Sequence, residues 1–86
     1  MKTIFKYELE LSDHTLSLPL GSKILSVANQ HDEFVLYAEI AQECGFFEMH
    51  RIFVRTTGEK FMDDSGRFIG TVLSSGGDFV LHVYAT

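Results

Sequence analysis

The sequence has few of the features that mark secreted or membrane-spanning proteins. Its 86 residues contain one cysteine and one proline. The single cysteine, Cys44, cannot form a disulfide bond within the chain, which is typical of a reducing compartment. No apolar run approaches the ~18 residues that a membrane-spanning helix requires, and the N-terminus lacks the unbroken apolar segment of a secretory signal. We therefore expect a cytosolic protein without membrane contact.

Positive charge is also scarce. Seven Lys and Arg residues stand against twelve Asp and Glu residues, for a formal net charge of −5. The basic residues are scattered singly, whereas contacts with phosphates need a cluster of them. The sequence thus predicts no nucleic-acid binding. The negative charge suits mimicry of a nucleic acid towards a basic partner, and it equally suits solubility alone.

The length of the chain indicates one domain, residues 1–86, with a modest hydrophobic core. Apolar and polar residues alternate with a period of two from Thr3 to about Ser12 and again in several later segments. Turn-forming residues recur about every 8 to 12 positions, and no helical pattern exceeds a turn or two. The sequence therefore predicts an all-β fold, a small antiparallel sandwich or barrel of about seven short strands.

Individual residues refine this prediction. Pro19 cannot donate a backbone hydrogen bond, so its short strand should lie at the edge of a sheet. The segments "SKILSVANQ" and "FVLYAEIA" predict a hairpin with its turn near residues 31–33. At the C-terminus, "RFIGTVLS" and "DFVLHVYA" flank Gly76 and Gly77, which predict a tight hairpin turn that uses positive φ at both glycines.

A two-residue turn at Gly76 and Gly77 sets the register of the C-terminal hairpin, and a four-residue loop gives the same register. Leu73 should lie opposite Val80, Thr71 opposite His82, and Ile69 opposite Tyr84. Gly70, opposite Val83, indicates a bulge or a close approach of two backbones. The face predicted to enter the core comprises Phe68, Gly70, Val72, Phe79, Leu81 and Val83.

His82 stands on the less apolar face of this hairpin. Two interpretations stay open. In the first, His82 is a half-buried side chain satisfied by the Thr71 hydroxyl, since polar groups at such depth are normally paired. In the second, Thr71, His82 and Tyr84 form the floor of a small binding site, where an aromatic ring and two hydrogen-bonding groups converge.

Patterns that carry catalysis or metal binding are missing. Cys44 and His50 lie six residues apart, about 20 Å along a strand, too far to share a zinc ion. Ser74 and Ser75 would lie roughly 10 Å from His82, too far for an activated nucleophile. We expect no catalytic residues, no metal and no cofactor.

Three segments occur in a recognisable order and spacing: "KTIFKYEL" at the start, "LPLGSKILSV" in the first third and "FIGTVLSSGGDFVLHVY" at the end. In these segments the chain resembles a family of small uncharacterised proteins encoded by phages and prophages. In the middle, relatives often carry a Gly-Thr-Gly-His-Pro-like loop, where this chain has "TTGEKF" and keeps only Gly58. The resemblance implies a phage origin and a location in the host cytoplasm, but no mechanism.

Three functions follow as expectations. The first is a non-enzymatic accessory protein that binds a host protein, for example in counter-defence. The second is a small-molecule binder that sequesters a nucleotide-type signal, with Arg51, Arg55 or His82 on the phosphate and Tyr84 or Phe residues 46, 47 and 53 stacking on the base. The third is a virion or assembly component. Because both faces of the C-terminal hairpin are apolar, we also expect a homodimer, with barrel closure as the competing explanation.

Overall fold

A computed structural model describes residues 1–41 and 45–86. This part of the chain forms seven strands and no helix: β1 (Thr3–Glu8), β2 (His14–Pro19), β3 (Lys23–Gln30), β4 (Glu33–Ile40), β5 (Phe47–Thr56), β6 (Arg67–Leu73) and β7 (Val80–Ala85). They build two antiparallel sheets, with strand orders β1-β4-β3 and β2-β5-β7-β6. The predicted all-β fold is confirmed, in the form of a small sandwich. Within these ranges no helix has the length and apolar character to cross a membrane.

The core lies between the two sheets. Alternate residues of the central strands point into it, because successive side chains of a strand face opposite sides. Five large side chains are less than 2 % exposed: Leu18, Leu36, Ile52, Leu81 and Val83. Burial of each contributes roughly 1.5–3 kcal/mol relative to an exposed position, so this layer is the main source of stability.

The sheets meet edge against edge where β3 passes β6. The Asn29 side chain donates to the Leu73 carbonyl at 2.7 Å, and the Arg67 guanidinium donates to the Ile24 carbonyl at 2.7 Å. A Cβ at Gly70 would lie 3.1 Å from Cγ2 of Val27. Of the two predictions for Gly70, the bulge is confirmed by the register shift between Phe68 and Gly70, whereas the close contact involves a side chain and not a second backbone. The crossing leaves β1 and β2 as the open edges of the two sheets.

Two local predictions from the first half of the chain hold. β2 is an edge strand that ends at Pro19. The β3–β4 hairpin turns at His31 and Asp32, whose φ angles are 52° and 66°, as a two-residue primed turn requires. The first strand is shorter than the alternation predicts, because β1 ends at Glu8.

The C-terminal hairpin keeps only part of its predicted register. Leu73 lies opposite Val80 and Thr71 opposite His82, as expected, but a bulge between Phe68 and Gly70 places Phe68 opposite Tyr84 in place of Ile69. An extra residue in one strand reverses the alternation beyond it. Phe68, predicted for the core, is thus 52 % exposed, and Ile69 packs against the core instead.

The turn of this hairpin is the four-residue loop, residues 75–78, and not the two-residue turn; both give the predicted register. The Ser74 N–H donates to the Phe79 carbonyl at 2.8 Å, and the Gly77 N–H donates to the Ser74 carbonyl at 2.8 Å. Gly77 has a positive φ of 73°, whereas Gly76 does not. Because residues 74–79 form a wider loop, Phe79 leaves the predicted core face and stacks on Phe34, with ring centroids 6.2 Å apart.

Candidate functional site

The outer face of the four-stranded sheet holds all five side chains predicted for a site. Opposite residues of an antiparallel ladder point to the same side. Arg55, His82 and Thr71 therefore form one row across β5, β7 and β6. Phe53, Tyr84 and Phe68 form the next row. Arg51 follows along β5, opposite Thr15 of β2.

Both ring nitrogens of His82 are hydrogen-bonded. Nδ1 lies 3.0 Å from Oγ1 of Thr71, and Nε2 lies 2.8 Å from Oγ1 of Thr57. A neutral imidazole offers one donor and one acceptor, and a threonine hydroxyl serves as either. The expected Thr71 partner is present. Thr57 was not found from the sequence because it reaches His82 from the loop after β5. This arrangement supports a structural role for His82.

Arg55 is held by residues from two distant segments. Its Nη1 lies 3.0 Å from each carboxylate oxygen of Asp13, and its Nη2 donates to the Ser65 hydroxyl at 3.3 Å. Nε lies 4.0 Å from Glu59 Oε2, too far for a hydrogen bond. The guanidinium packs over the ring of Phe53 at 5.3 Å. With two carboxylates beside it, Arg55 is poorly placed to bind a phosphate.

Asp13 also binds the backbone of β5, because its Oδ1 accepts a hydrogen bond from the Val54 N–H at 2.8 Å. Partial burial raises the pKa of Asp13, but the hydrogen bonds from Val54 and Arg55, together with the positive charge of Arg55, outweigh this effect. The net result is a pKa below the ordinary value of 3.8. Asp13 is therefore a structural anion that fixes Arg55 and the start of β2.

Loop 57–66 packs over one half of the outer face, which we term the covered half. Thr57 bonds His82, Ser65 bonds Arg55, and the Phe61 ring contacts Tyr84 at 5.5 Å. Glu59 secures the start of the loop by accepting the Thr56 N–H at 3.0 Å. The predicted cluster of Thr71, His82 and Tyr84 thus lies beside a loop that binds Nε2 of His82 and packs against the Tyr84 ring.

The other half of this face, which we term the open half, comprises Phe47, Met49 and Arg51 of β5. Phe47 is 63 % exposed and Met49 62 % exposed. The Arg51 guanidinium lies over the buried Phe53 ring at 5.1 Å. Salt bridges from Arg51 to Asp or Glu are absent within residues 1–41 and 45–86. Met49 was missed from the sequence, where a methionine between polar residues carries no signal.

Thr86 anchors the backbone of Arg51 from both sides. The Thr86 N–H donates to the Arg51 carbonyl at 3.0 Å, and the Arg51 N–H donates to the Thr86 hydroxyl at 3.0 Å. The backbone beneath the open half is therefore fixed by a central strand and by the end of the chain. A side chain on such a support loses little further backbone freedom when it binds.

A separate groove of about 570 Å³ lies at the other end of the molecule, between β1, the β3–β4 turn and loop 74–79. Its apolar lining includes Tyr7, Phe34 and Phe79. Glu8, Asp32 and Glu33 also line it, against the single cation of Lys6. Because negative charges surround this groove, it is unsuited to the phosphate of a nucleotide-type ligand.

Metal binding gains no support from the part of the chain that the structure describes. No group of three or more His, Cys, Asp or Glu side chains is suitably placed there. Cys44 lies outside the described residues.

Comparison with known proteins identifies a family without a described activity. A family model described as "Domain of unknown function (DUF7352)" matches residues 1–86. The chain therefore belongs to this family. No curated protein and no solved structure matches the chain.

Proposed function

We propose that this member of the DUF7352 family is a protein-binding module that docks an acidic, partly apolar surface of its partner on the open half of the four-stranded sheet. The observation that carries the proposal is Arg51, which stacks on Phe53 beside the exposed Phe47 and Met49. Aromatic residues, Met and Arg are the residue types enriched in protein–protein interfaces.

Charge selects the class of partner. Arg51 carries a positive charge to which the described residues contribute no ion pair, and its guanidinium lies over the Phe53 ring. A stacked guanidinium still offers its edge to a carboxylate in a two-point hydrogen bond. The flanking Phe47 and Met49 supply apolar contact, and Met adapts to irregular surfaces. A carboxylate beside apolar side chains is the complementary surface.

A nucleotide-type ligand is less well supported. Of the three phosphate-binding candidates from the sequence, Arg55 faces Asp13 and Glu59, and His82 is occupied by two threonines. Arg51 alone remains, on an open sheet surface, whereas small-molecule sites are concave. The resemblance to phage-encoded proteins makes host proteins of the cytoplasm the partners that we propose to test first.

The test has two steps: the partner is first crosslinked to the open half, and the contribution of the Arg51 charge to binding is then measured. A photo-crosslinking amino acid replaces Met49 in cells of the host, and the crosslinked protein is identified and purified. Titration calorimetry then compares the native chain with Arg51→Glu and with Lys23→Glu, an exposed cation of the other sheet. We expect Arg51→Glu to weaken binding by about 2 kcal/mol or more and Lys23→Glu to leave it unchanged.

Reversal of the charge on the partner completes the test. Replacement of the contacting Asp or Glu of the partner by Lys should restore binding to Arg51→Glu. Equal affinity of the native chain and Arg51→Glu would overturn the proposal. So would binding of ATP or a cyclic dinucleotide that Arg51→Glu abolishes, because this result would favour the nucleotide-type ligand.

A further inference from the structure

β1 is exposed on both of its faces. Within residues 1–41 and 45–86 it has one neighbour in its sheet, β4. Ile4, on the outer face, is 60 % exposed, and Phe5, on the opposite face, is 48 % exposed. Tyr7 is the one residue of the strand that is half-buried. An edge strand with apolar side chains on both faces and a free row of backbone groups is a template for pairing with another chain.

The backbone of β1 has its free groups at defined positions. The Leu9 N–H donates to the Phe34 carbonyl at 2.9 Å, in the same register that pairs Thr3 with Ile40. Hydrogen-bonded and non-hydrogen-bonded pairs alternate in an antiparallel ladder. Odd-numbered residues therefore direct N–H and C=O towards β4, and Ile4, Lys6 and Glu8 direct theirs to the open edge.

The other edges are less available. β3 and β6 lie against each other and are joined by the Asn29 and Arg67 side chains. β2 ends in Pro19, which lacks an N–H. On the C-terminal hairpin, where the sequence predicts a homodimer, the Phe61 ring of loop 57–66 packs against Tyr84.

We propose that β1 pairs antiparallel with β1 of a second copy of this chain, so that two three-stranded sheets join into one of six strands. If the two-fold axis is perpendicular to the sheet, each residue of β1 must lie opposite a residue of the partner's β1 whose side chain is on the same face of the sheet. This condition limits the possible registers. Two such registers lie near the centre of the strand. One places Phe5 opposite the partner subunit's Phe5, and the other places Lys6 opposite the partner subunit's Lys6.

Charge selects the register centred on Phe5. It places Lys2, which also lies 3.3 Å from Glu39 of its own chain, opposite the partner's Glu8. Symmetry repeats this pair, so two lysines each lie opposite a carboxylate, one on either side of the axis. It also places Ile4 opposite the partner's Lys6, whose methylenes cover an apolar neighbour. The alternative register sets two Lys6 ammonium groups against each other, and like charges directly opposite are destabilising. This self-complementarity identifies a second copy as the occupant of the edge.

The dimer leaves the open half of the four-stranded sheet free, because that surface belongs to the other sheet. One dimer therefore presents two copies of the partner-binding surface. Since the contact is confined to one short strand, the dimer should be weak and dependent on concentration.

Sedimentation equilibrium tests the pairing across micromolar to millimolar concentrations. The average mass of the native chain should rise from 9.7 kDa towards twice that mass as the concentration increases. Glu8→Lys and Lys2→Glu should each weaken the dimer about tenfold, and the double variant should restore it, because the two charges are exchanged. A native chain that stays at 9.7 kDa, or a double variant no stronger than the single ones, would overturn the proposal.

Crosslinking checks the register independently of affinity. In a chain that carries Cys44→Ser, Phe5→Cys should form a disulfide-linked dimer on oxidation, because the two Cα atoms would lie about 4.5 Å apart. Lys6→Cys is the matched control, with its two Cα atoms about 8 Å apart and beyond disulfide reach. Crosslinking of Lys6→Cys in preference to Phe5→Cys would overturn the register centred on Phe5. Thermal unfolding by circular dichroism verifies that each variant is folded.

Discussion

Thr57 and His82, 25 residues apart in the sequence, are hydrogen-bonded at 2.8 Å between Oγ1 and Nε2. This contact ties the first residue of loop 57–66 to the central strand β7. Together with the Thr71 contact on Nδ1 it leaves neither nitrogen of the ring unpaired. His82 is therefore a bridge between the loop and the two strands of the hairpin.

Loss of this bridge should lower stability. We expect His82→Ala to reduce the free energy of unfolding by about 1 kcal/mol, measured by urea denaturation. Thr57→Val and Thr71→Val each remove one of the two hydrogen bonds and keep the side-chain volume, so each should have a smaller effect. A His82→Ala chain as stable as the native one would contradict the structural role and favour a role in binding.

Gly66 should be the least replaceable glycine of loop 57–66. Its φ is 84°, and a Cβ at this position would lie 2.4 Å from the Ala85 carbonyl oxygen. Gly58, in the same loop, has a φ of 87° and open space around it. We expect Gly58→Ala to cost about 1 kcal/mol from backbone strain alone and Gly66→Ala to cost clearly more. Similar thermal midpoints for the two variants would show that the contact with Ala85 is not restrictive.

The crossing of β3 and β6 should depend on the missing side chain at Gly70. Gly70→Ala should destabilise the protein by about 1 kcal/mol, because its Cβ crowds Cγ2 of Val27. Val27→Ala removes that methyl group. In a double-mutant cycle measured by chemical denaturation, Gly70→Ala should cost less in the Val27→Ala background than in the native one. If the destabilisations caused by Gly70→Ala and Val27→Ala are additive, the strain in Gly70→Ala does not come from the contact with Val27.

Asp13 should make stability sensitive to acid. Its pKa in the folded protein lies below the ordinary value of 3.8. The contribution of ionised Asp13 to the free energy of unfolding is therefore fully present above the ordinary pKa. It is lost as the pH falls through the lower pKa of the folded state. Asp13→Asn should cost about 1 kcal/mol or less at neutral pH, since the ion pair is partly exposed.

Comparison across pH isolates this effect. The difference in thermal midpoint between Asp13→Asn and the native chain should shrink as the pH falls below about 4. Asp63→Asn, at an exposed residue of loop 57–66, is the control. A difference that stays constant between pH 7 and about pH 2 would contradict the ion-pair explanation.

Local rules were sufficient for most of the strands. Alternation with a period of two indicated the first strand, and two β-branched and aromatic runs predicted the β3–β4 hairpin with its turn near residues 31–33. The pairing of Thr71 with His82 also followed, because a hairpin relates residues that are close in the sequence. Both inferences use interactions within about a dozen residues, which a sequence displays directly.

The bulge marks the first limit of those rules. One extra residue between Phe68 and Gly70 reverses which side chains face the core. Gly70 indicated that a bulge was present, but not which side chain would leave the ladder. Val27, which a Cβ at Gly70 would crowd at 3.1 Å, belongs to a strand of the other sheet, and such a neighbour is not visible in the local sequence.

The candidate site shows the same division between local and long-range information. The sequence by itself determined which of the predicted site residues share a face of the same segment. Arg51 and Arg55 lie on one face of their strand, and Thr71, His82 and Tyr84 lie on one face of the C-terminal hairpin. Only the tertiary structure decided which of them are engaged. Asp13 reaches Arg55 across 42 residues of chain, and Thr57 reaches His82 from a loop. Such partners are selected by the folding of the whole chain, because contacts between distant segments depend on sheet order and loop path, which no local pattern encodes.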